Sequence, residues 1–188
     1  MTNEVIELLT HRQSCARLVA PAPSGAVLER IFAAALRAPD HGQLRPWRYL
    51  TISGKGLEEL GAVFVAATEK SEGELLPERR QKLEAMPLRA PMIVVGIACL
   101  SDHTKVPAVE QRISAGVGMG YMLVALQALG FAGMWRTGDM AYNKDVKASL
   151  GLTQAEEIVG FLYIGTPEGS PKTMSSIAPY EFVSVWPQ

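Results

Sequence analysis

Arginines beside polar turns are the residues of this sequence most suited to binding a charged ligand. Arg12 is followed two positions later by Ser14, so one short turn offers a guanidinium fork and a hydroxyl donor. That pair suits a phosphate, because arginine can donate two parallel hydrogen bonds to its oxygens. Arg37 ends an apolar helical pattern, and Arg136 ends a predicted strand. Each arginine taken alone is more often a solvated or capping residue, so for any single one of them that ordinary role is preferred to phosphate binding.

A histidine and two cysteines are the other side chains to weigh. His41 lies in a Pro-Asp-His-Gly loop at a predicted helix-to-strand junction, and loops at such junctions commonly carry function. A lone loop histidine is nevertheless more often incidental. Cys15 and Cys99 belong to no CxxC motif, and the three histidines are scattered. The sequence therefore predicts neither a zinc site nor a disulfide framework.

Glycines in a long apolar segment do not form a nucleotide-binding motif. Gly116, Gly118 and Gly120 alternate within a helical pattern, which is the wrong spacing for a dinucleotide-binding turn. Motifs for phosphate-binding loops and serine nucleophiles are absent as well. Each glycine costs about 1 kcal/mol relative to alanine in a helix. Close packing, including packing between subunits, would offset that cost.

The balance of charge limits the partners of the chain. Its 188 residues include 18 Lys and Arg against 19 Asp and Glu, a net charge of −1. No global basic field attracts nucleic acid or an anionic membrane. The N-terminus lacks the basic start of a signal peptide, and the apolar stretch 113–129 is short for a membrane span. We expect a cytoplasmic protein that binds neither nucleic acid nor membrane.

The pattern of apolar residues predicts one domain over 1–188, with helices against a mixed sheet. Two N-terminal helices would be capped by Asn3 and Ser24, the second ending before Pro39. The other predicted elements are strands over 47–53, 92–100, 131–137 and 158–165, and helices over 57–70, 108–129 and 143–150.

Two segments depart from regular patterns. Residues 71–86 are highly charged and include Pro77, which predicts an exposed, mobile excursion. Residues 166–188 contain four prolines and several aromatic residues. We expect this tail to be extended and to pack against another surface, because it has too little apolar pattern to fold alone.

Five segments, in this order, carry a family resemblance: Arg12-Gln13-Ser14, Arg37-Ala38-Pro39, Pro46-Trp47, 133–138 and 160–167. The ordered set resembles the FMN-dependent nitroreductase family over nearly the whole chain. It is most similar to the small single-domain NAD(P)H nitroreductases of bacteria.

The resemblance implies an α+β fold of three layers, with a mixed, largely antiparallel sheet flanked by helices. It also implies a homodimer that binds each FMN in a cleft between the subunits, with the long glycine-containing helix in the interface. The implied FMN-binding residues are Arg12, Gln13, Ser14, Arg37, His41, Trp135, Arg136 and Thr137. A nicotinamide nucleotide would lie near Ala125, Leu126, Gln127, Ala128, Leu129 and Gly130.

The implied activity needs no catalytic side chain and no metal, because the flavin carries the chemistry. FMN would take hydride from NADH or NADPH at N5 and pass electrons to a nitro, quinone or enone acceptor in a ping-pong cycle. A non-redox flavin enzyme and a flavin carrier or sensor remain as alternatives on the same scaffold.

The sequence also departs from the family pattern. Many members have a lysine two residues after the serine, where this chain has Ala16 with Arg17 beside it. Gln43 and Arg45 stand at the two loop positions where many members have the amide residues Asn and Gln. The segment 71–86 is a reduced version of the segment that caps the cleft in the family. Whether Arg17 replaces the lysine depends on the direction of its side chain.

Overall fold

The computed structural model describes residues 4–170, 173–174 and 177–187, so the predicted cap Asn3 lies outside the described residues. In these residues the helices are α1 (Glu4–Thr10), α2 (Gly25–Ala35), α3 (Lys55–Glu72), α4 (Pro77–Ala85), α5 (Ala108–Ala128), α6 (Asp139–Tyr142) and α7 (Lys144–Ser149). The strands are β1 (Leu18–Val19), β2 (Trp47–Ser53), β3 (Met92–Cys99), β4 (Ala132–Arg136) and β5 (Glu156–Pro167).

The sheet is built around β5, the longest of these strands. β3 pairs with one edge of β5, and β2 pairs with β3. β4 pairs with the other edge of β5. β1 pairs with the C-terminal end of β5, with Leu18 opposite Pro167. Every pairing among the described strands is antiparallel. This confirms the largely antiparallel sheet flanked by helices, and no parallel pair is found within the described part of the chain.

Two apolar cores lie on opposite faces of this sheet and define three layers. On one face, α2 and α5 pack through Ile31 and Met119 onto strand residues such as Val94. On the other face, Phe64 of α3 packs onto alternate residues such as Ile93. Because successive side chains of a strand point to opposite faces, β3 serves both cores and is buried from Met92 to Ala98. The predicted doubly buried strand is confirmed.

Close approach explains one of the α5 glycines. A Cβ at Gly118 would collide with the Tyr49 hydroxyl and lie 3.2 Å from the Ala35 carbonyl oxygen of α2. At Gly116 a Cβ would meet Trp135 at 3.7 Å, and at Gly120 it would meet nothing within 4 Å. Among these three glycines, packing against the described residues therefore requires glycine at 118 alone.

The segment 71–86 is mostly exposed, as predicted, but it is largely helical rather than a loop-like excursion, and its mobility stays a prediction. The segment is the end of α3 and all of α4, which packs back onto α3. Leu75 and Leu83 are buried, and Gly61 lets the helices touch, since a Cβ there would lie 2.6 Å from the Glu84 carbonyl oxygen. So few buried residues anchor α4 that its composition resembles that of a polar loop.

Helix caps differ from the expectation in one case. Ser24 occupies the N-cap position of α2, but its side chain makes no capping hydrogen bond. At α7, Asn143 Oδ1 accepts hydrogen bonds from Asp145 N at 2.8 Å and Val146 N at 3.2 Å. Gly130 follows α5 with φ of 80°, the left-handed conformation that glycine commonly adopts after the end of a helix.

The C-terminal tail presents apolar side chains to solvent. β5 reaches Pro167, so the first part of the predicted tail is strand. Beyond it, Tyr180, Phe182 and Val185 are exposed, and Trp186 is 90% exposed. In the part of the chain that the structure describes, no helix is both long enough and apolar enough to span a membrane.

Candidate functional site

The segment 11–17 is tied to the end of the sheet by two contacts. Gln127 Nε2, in the last turn of α5, donates to the His11 carbonyl oxygen at 3.3 Å. Cys15 N donates to the Gly133 carbonyl oxygen at 3.1 Å. The first contact fixes the segment beside the C-terminal end of α5, and the second fixes it beside the start of β4.

A cavity of about 610 Å³ lies against this segment, a volume within the range of small-molecule sites. Its walls are formed by 13–17, by 131–133 at the start of β4, and by 167–170 after β5. The lining is completed by His11 and by Leu123 and Gln127 of α5. The cavity therefore lies at the edge of the sheet, where three separate stretches of the chain converge.

Some of the predicted site residues line this cavity. Gln13 and Ser14 do so, and so does Gln127 from the predicted nicotinamide segment. Leu126 is instead fully buried in the core on the α5 face of the sheet. The remaining predicted residues are outside the cavity lining. Those predicted to bind FMN are Arg12, Arg37, His41, Trp135, Arg136 and Thr137, and those from the nicotinamide segment are Ala125, Ala128, Leu129 and Gly130.

Arg12 and Arg136 share a feature that ordinary surface arginines lack. Arg12 Nη1 and Arg136 Nε are buried and have no hydrogen-bond partner among the described residues. A buried donor without a partner costs about 1–3 kcal/mol. Arg12 directly precedes the cavity-lining Gln13, and Arg136 ends the strand whose start lines the cavity. Both guanidinium groups thus have a donor for which the described residues provide no acceptor.

The surroundings of Arg136 are partly aromatic. Its Cζ lies 5.6 Å from the centre of the Tyr163 ring, within the range of a cation–π contact. Burial raises the pKa of Tyr163, and the positive charges of Arg89 and Arg136 oppose that rise. Arg136 is therefore held against the sheet by its neighbour on β5.

The neighbours of Arg136 on either side differ in exposure. Trp135 Nε1 donates to the Val159 carbonyl oxygen at 3.4 Å, and its ring packs near Gly116 of α5. Thr137 follows β4 and is exposed. The tryptophan thus packs inward, whereas Thr137 is accessible to a ligand.

His41 and Arg37 lie away from the cavity. His41 Nδ1 is 2.7 Å from Glu110 Oε2, in the first turn of α5. Arg37 follows α2 and is exposed. The loop between them and β2 is closed by a hydrogen bond of 2.6 Å from Arg45 N to Asp40 Oδ2.

These residues and the cavity lie at opposite ends of α5. Glu110 contacts His41, and Gln127 contacts the segment 11–17. With a rise of 1.5 Å per residue, the two contacts are about 25 Å apart along the helix. One chain therefore does not bring all the predicted FMN-binding residues together.

The outward side of α5 is apolar. Val109 is 56% exposed and Ile113 is 60% exposed, although both are large and aliphatic. Tyr121 is also exposed, and Gly120 faces open space. Spacings of four and eight residues place the three side chains on one stripe of the helix. This outer α5 stripe has no cover in the described part of the chain.

The strongest pKa shift belongs to a structural ion pair away from the cavity. Glu156, at the start of β5, accepts hydrogen bonds from Arg48 and from Thr153 N, and these lower its pKa to about 2. Burial, together with the nearby Glu156 carboxylate, raises the pKa of the Cys99 thiol. The cluster joins β2, β3 and β5 and contains no cavity-lining residue.

The cavity is also lined by Cys15, Ala16, Arg17 and the stretch 167–170. Of these, only Arg17 was singled out from sequence, as a candidate to replace the lysine of the family. The two stretches meet because β1 pairs with the end of β5. A strand of two residues leaves no periodicity to detect, so only the position of Gly169 after β5 hinted at a tight turn.

The fold and site define an α+β protein with a cavity of about 610 Å³ at the edge of an antiparallel sheet. The model of the nitroreductase family matches residues 9–166. The "Putative NAD(P)H nitroreductase YdjA" of Escherichia coli K12 is 37% identical over 184 residues, 96% of this chain and 98% of that protein. The chain belongs to the nitroreductase family.

Solved structures agree with this fold. A nitroreductase-like family protein from Bacillus cereus superposes with a TM-score of 0.84 at 20% identity, covering 100% of this chain and 98% of that one. The nitroreductase NfnB from Sphigopyxis sp. strain HMH superposes with a TM-score of 0.74 at 17% identity, covering 96% and 98%. At these identities the likeness concerns the fold.

Proposed function

We propose that the chain is an FMN-dependent oxidoreductase that takes hydride from NADH or NADPH and reduces nitro, quinone or enone compounds. Family membership and the NAD(P)H nitroreductase relative support an oxidoreductase. The NfnB structure is described as that of an "FMN and NADPH-dependent nitroreductase", which supports the same cofactor and donor here. The observation that carries the proposal is the pair of buried, unpartnered guanidinium nitrogens of Arg12 and Arg136.

The donors of the site fit FMN. A phosphate monoester carries about −1.5 to −2 charge near neutrality, and this chain has a net charge of −1. Local cations must therefore bind it, and Arg12 and Arg136 are the proposed pair. Gln13 and Ser14 add an amide and a hydroxyl from the cavity wall, which suit the ribityl chain and the phosphate. Thr137 is accessible at the end of β4.

FMN, when bound, supplies the hydride-transfer chemistry at its N5. The chain has to bind the flavin, orient it and leave one face open, first to the nicotinamide and then to the acceptor. Alternate use of one cavity by donor and acceptor gives ping-pong kinetics. Apolar side chains such as Leu123 and Phe131 on the cavity wall limit the access of water.

A second copy of the chain would complete the site. Arg37 and His41 lie about 25 Å along α5 from the contact with the segment 11–17. We propose a homodimer formed across the outer α5 stripe, in which Arg37 and His41 of one subunit approach the FMN bound by Arg12 and Arg136 of the other. The exposed apolar side chains of 177–187 would pack on the partner.

Anaerobic flavin spectroscopy tests the activity. The purified chain, loaded with FMN, is mixed under nitrogen with NADH or NADPH, and the flavin absorbance is followed before and after a nitroarene or quinone is added. The proposal predicts bleaching by at least one donor and recovery on addition of the acceptor. A bound flavin that neither donor bleaches would indicate a carrier or sensor, and a chain that cannot bind FMN would refute the proposed cofactor.

A further inference from the structure

The backbone of Arg17 is anchored on two sides. Its carbonyl oxygen accepts a hydrogen bond from Glu168 N at 3.1 Å and another from Cys15 Sγ at 3.1 Å. The next two residues form β1, which pairs with Thr166 and Pro167. The position of Arg17 relative to the stretch after β5 is therefore fixed by the sheet.

The side chain of Arg17 lies over that stretch. A Cβ at Gly169 would lie 2.8 Å from Arg17 Nη2, and Gly169 has φ of +83°. A turn with alternating signs of φ can direct successive backbone N–H groups to one side, which makes a concavity that binds anions. The Arg17 side chain thus points to the loop after β5. This gives the direction on which its replacement of the family lysine, at the position of Ala16, was said to depend.

The charge of Arg17 is available to a ligand. The side chain is exposed and lines the cavity. Among the described residues no carboxylate oxygen lies within 4.0 Å of its guanidinium nitrogens, although Glu168 lines the same cavity. Ser14 and Ser170 line it too. A guanidinium fork with two hydroxyl groups is suited to a phosphate.

We propose that Arg17, with Ser14 and the stretch 168–170, binds a phosphate monoester of a nucleotide held in the cavity. This rests on the proposed function, which offers two such groups, the 5′-phosphate of FMN and the 2′-phosphate of NADPH. Arg17 is then a residue that determines affinity for the cofactor or specificity for the donor. It acts in addition to Arg12 and Arg136, whose guanidinium groups lie outside the cavity lining.

The test uses Arg17→Ala and Arg17→Lys, with Arg30→Ala on α2 as the matched control because Arg30 is exposed and outside the cavity. FMN and riboflavin are titrated into each apoprotein, and KM for NADPH and NADH is measured on the FMN-loaded forms. If the site binds the FMN phosphate, Arg17→Ala weakens FMN by about 10- to 100-fold and leaves riboflavin unchanged. If it binds the 2′-phosphate, KM rises about tenfold for NADPH only.

Arg17→Lys should recover part of either loss, since lysine keeps the charge but not the fork. Unchanged FMN affinity and unchanged KM for NADPH in Arg17→Ala would overturn the phosphate role. Equal losses for FMN and riboflavin without a change for NADPH would also overturn it. A wild-type chain that binds neither flavin would refute the proposed function as a whole, whereas normal wild-type binding with an unaffected variant refutes only the role of Arg17.

Discussion

Replacing Arg12 or Arg136 by alanine should weaken FMN far more than riboflavin. Each arginine carries a buried nitrogen without a partner in the described structure, so each has a donor to give to the phosphate. A hydrogen bond that involves a charged group contributes about 1.5–3 kcal/mol. Since about 1.4 kcal/mol corresponds to a factor of ten, either variant should lose about 10- to 100-fold in FMN affinity.

The free energy of unfolding of the apoprotein should respond differently. Removing an unpartnered buried donor loses no hydrogen bond, so Arg12→Ala should cost stability only through the packing of its half-buried stem. Arg136→Ala also loses the cation–π contact with Tyr163, which is worth about 0.5–1 kcal/mol. Stability measured by urea unfolding thus separates damage to the fold from loss of the phosphate contact.

Titrations of FMN and riboflavin into each apoprotein, followed by flavin fluorescence, measure the contrast. Arg89→Ala is the matched control, since Arg89 also acts electrostatically on Tyr163 but is exposed. It should leave both affinities unchanged. Equal losses for FMN and riboflavin, or no loss for either, would show that Arg12 and Arg136 do not bind the phosphate.

Three further predictions concern stability and assembly. Tyr49→Phe should raise the free energy of unfolding by about 1 kcal/mol, because it deletes a buried hydroxyl that has no partner among the described residues; an unchanged or lower value in urea unfolding would contradict this. The pKa of Glu156 is lowered from 4.5 to about 2, so its ion pair stabilises the fold above pH 4.5 and this contribution is lost as the pH falls towards 2. Glu156→Gln should therefore cost more stability at pH 7 than at pH 2.5, and an equal cost at both would refute the linkage. Ile113→Glu, on the outer α5 stripe, should turn a dimer into a monomer in sedimentation, whereas an unchanged dimer would place the interface elsewhere.

Local patterns predicted much of the fold. The bounds of β2 agree with the predicted 47–53, and α5 differs from its predicted end by one residue. These elements have strong periodicity and clear ends. β1, α4 and α6 were missed, because two residues of strand, a polar helix with few buried anchors and a single helical turn carry almost no pattern.

The candidate site was predicted less completely than the fold. Gln13 and Ser14 were predicted from the turn beside Arg12, and both line the cavity. Arg17 and the loop containing Gly169 are far apart in sequence and meet only through the pairing of β1 with β5. The length of α5 was predicted to within one residue, but the separation of His41 from the cavity also depends on where α5 packs, which local sequence does not encode. The part of the site that depends on long-range strand pairing could therefore not be predicted from local sequence.

Mixed dimers show whether each FMN site is built from two chains. Arg12→Ala chains and chains carrying both Arg37→Ala and His41→Ala are tagged differently, co-expressed and purified as the mixed species, and FMN binding is measured. If the subunits share each site, one of the two sites in the mixed dimer has both halves intact. A shared site gives one FMN of wild-type affinity per mixed dimer, although both parent dimers bind weakly. A mixed dimer with no site of wild-type affinity would show instead that each chain builds its site alone.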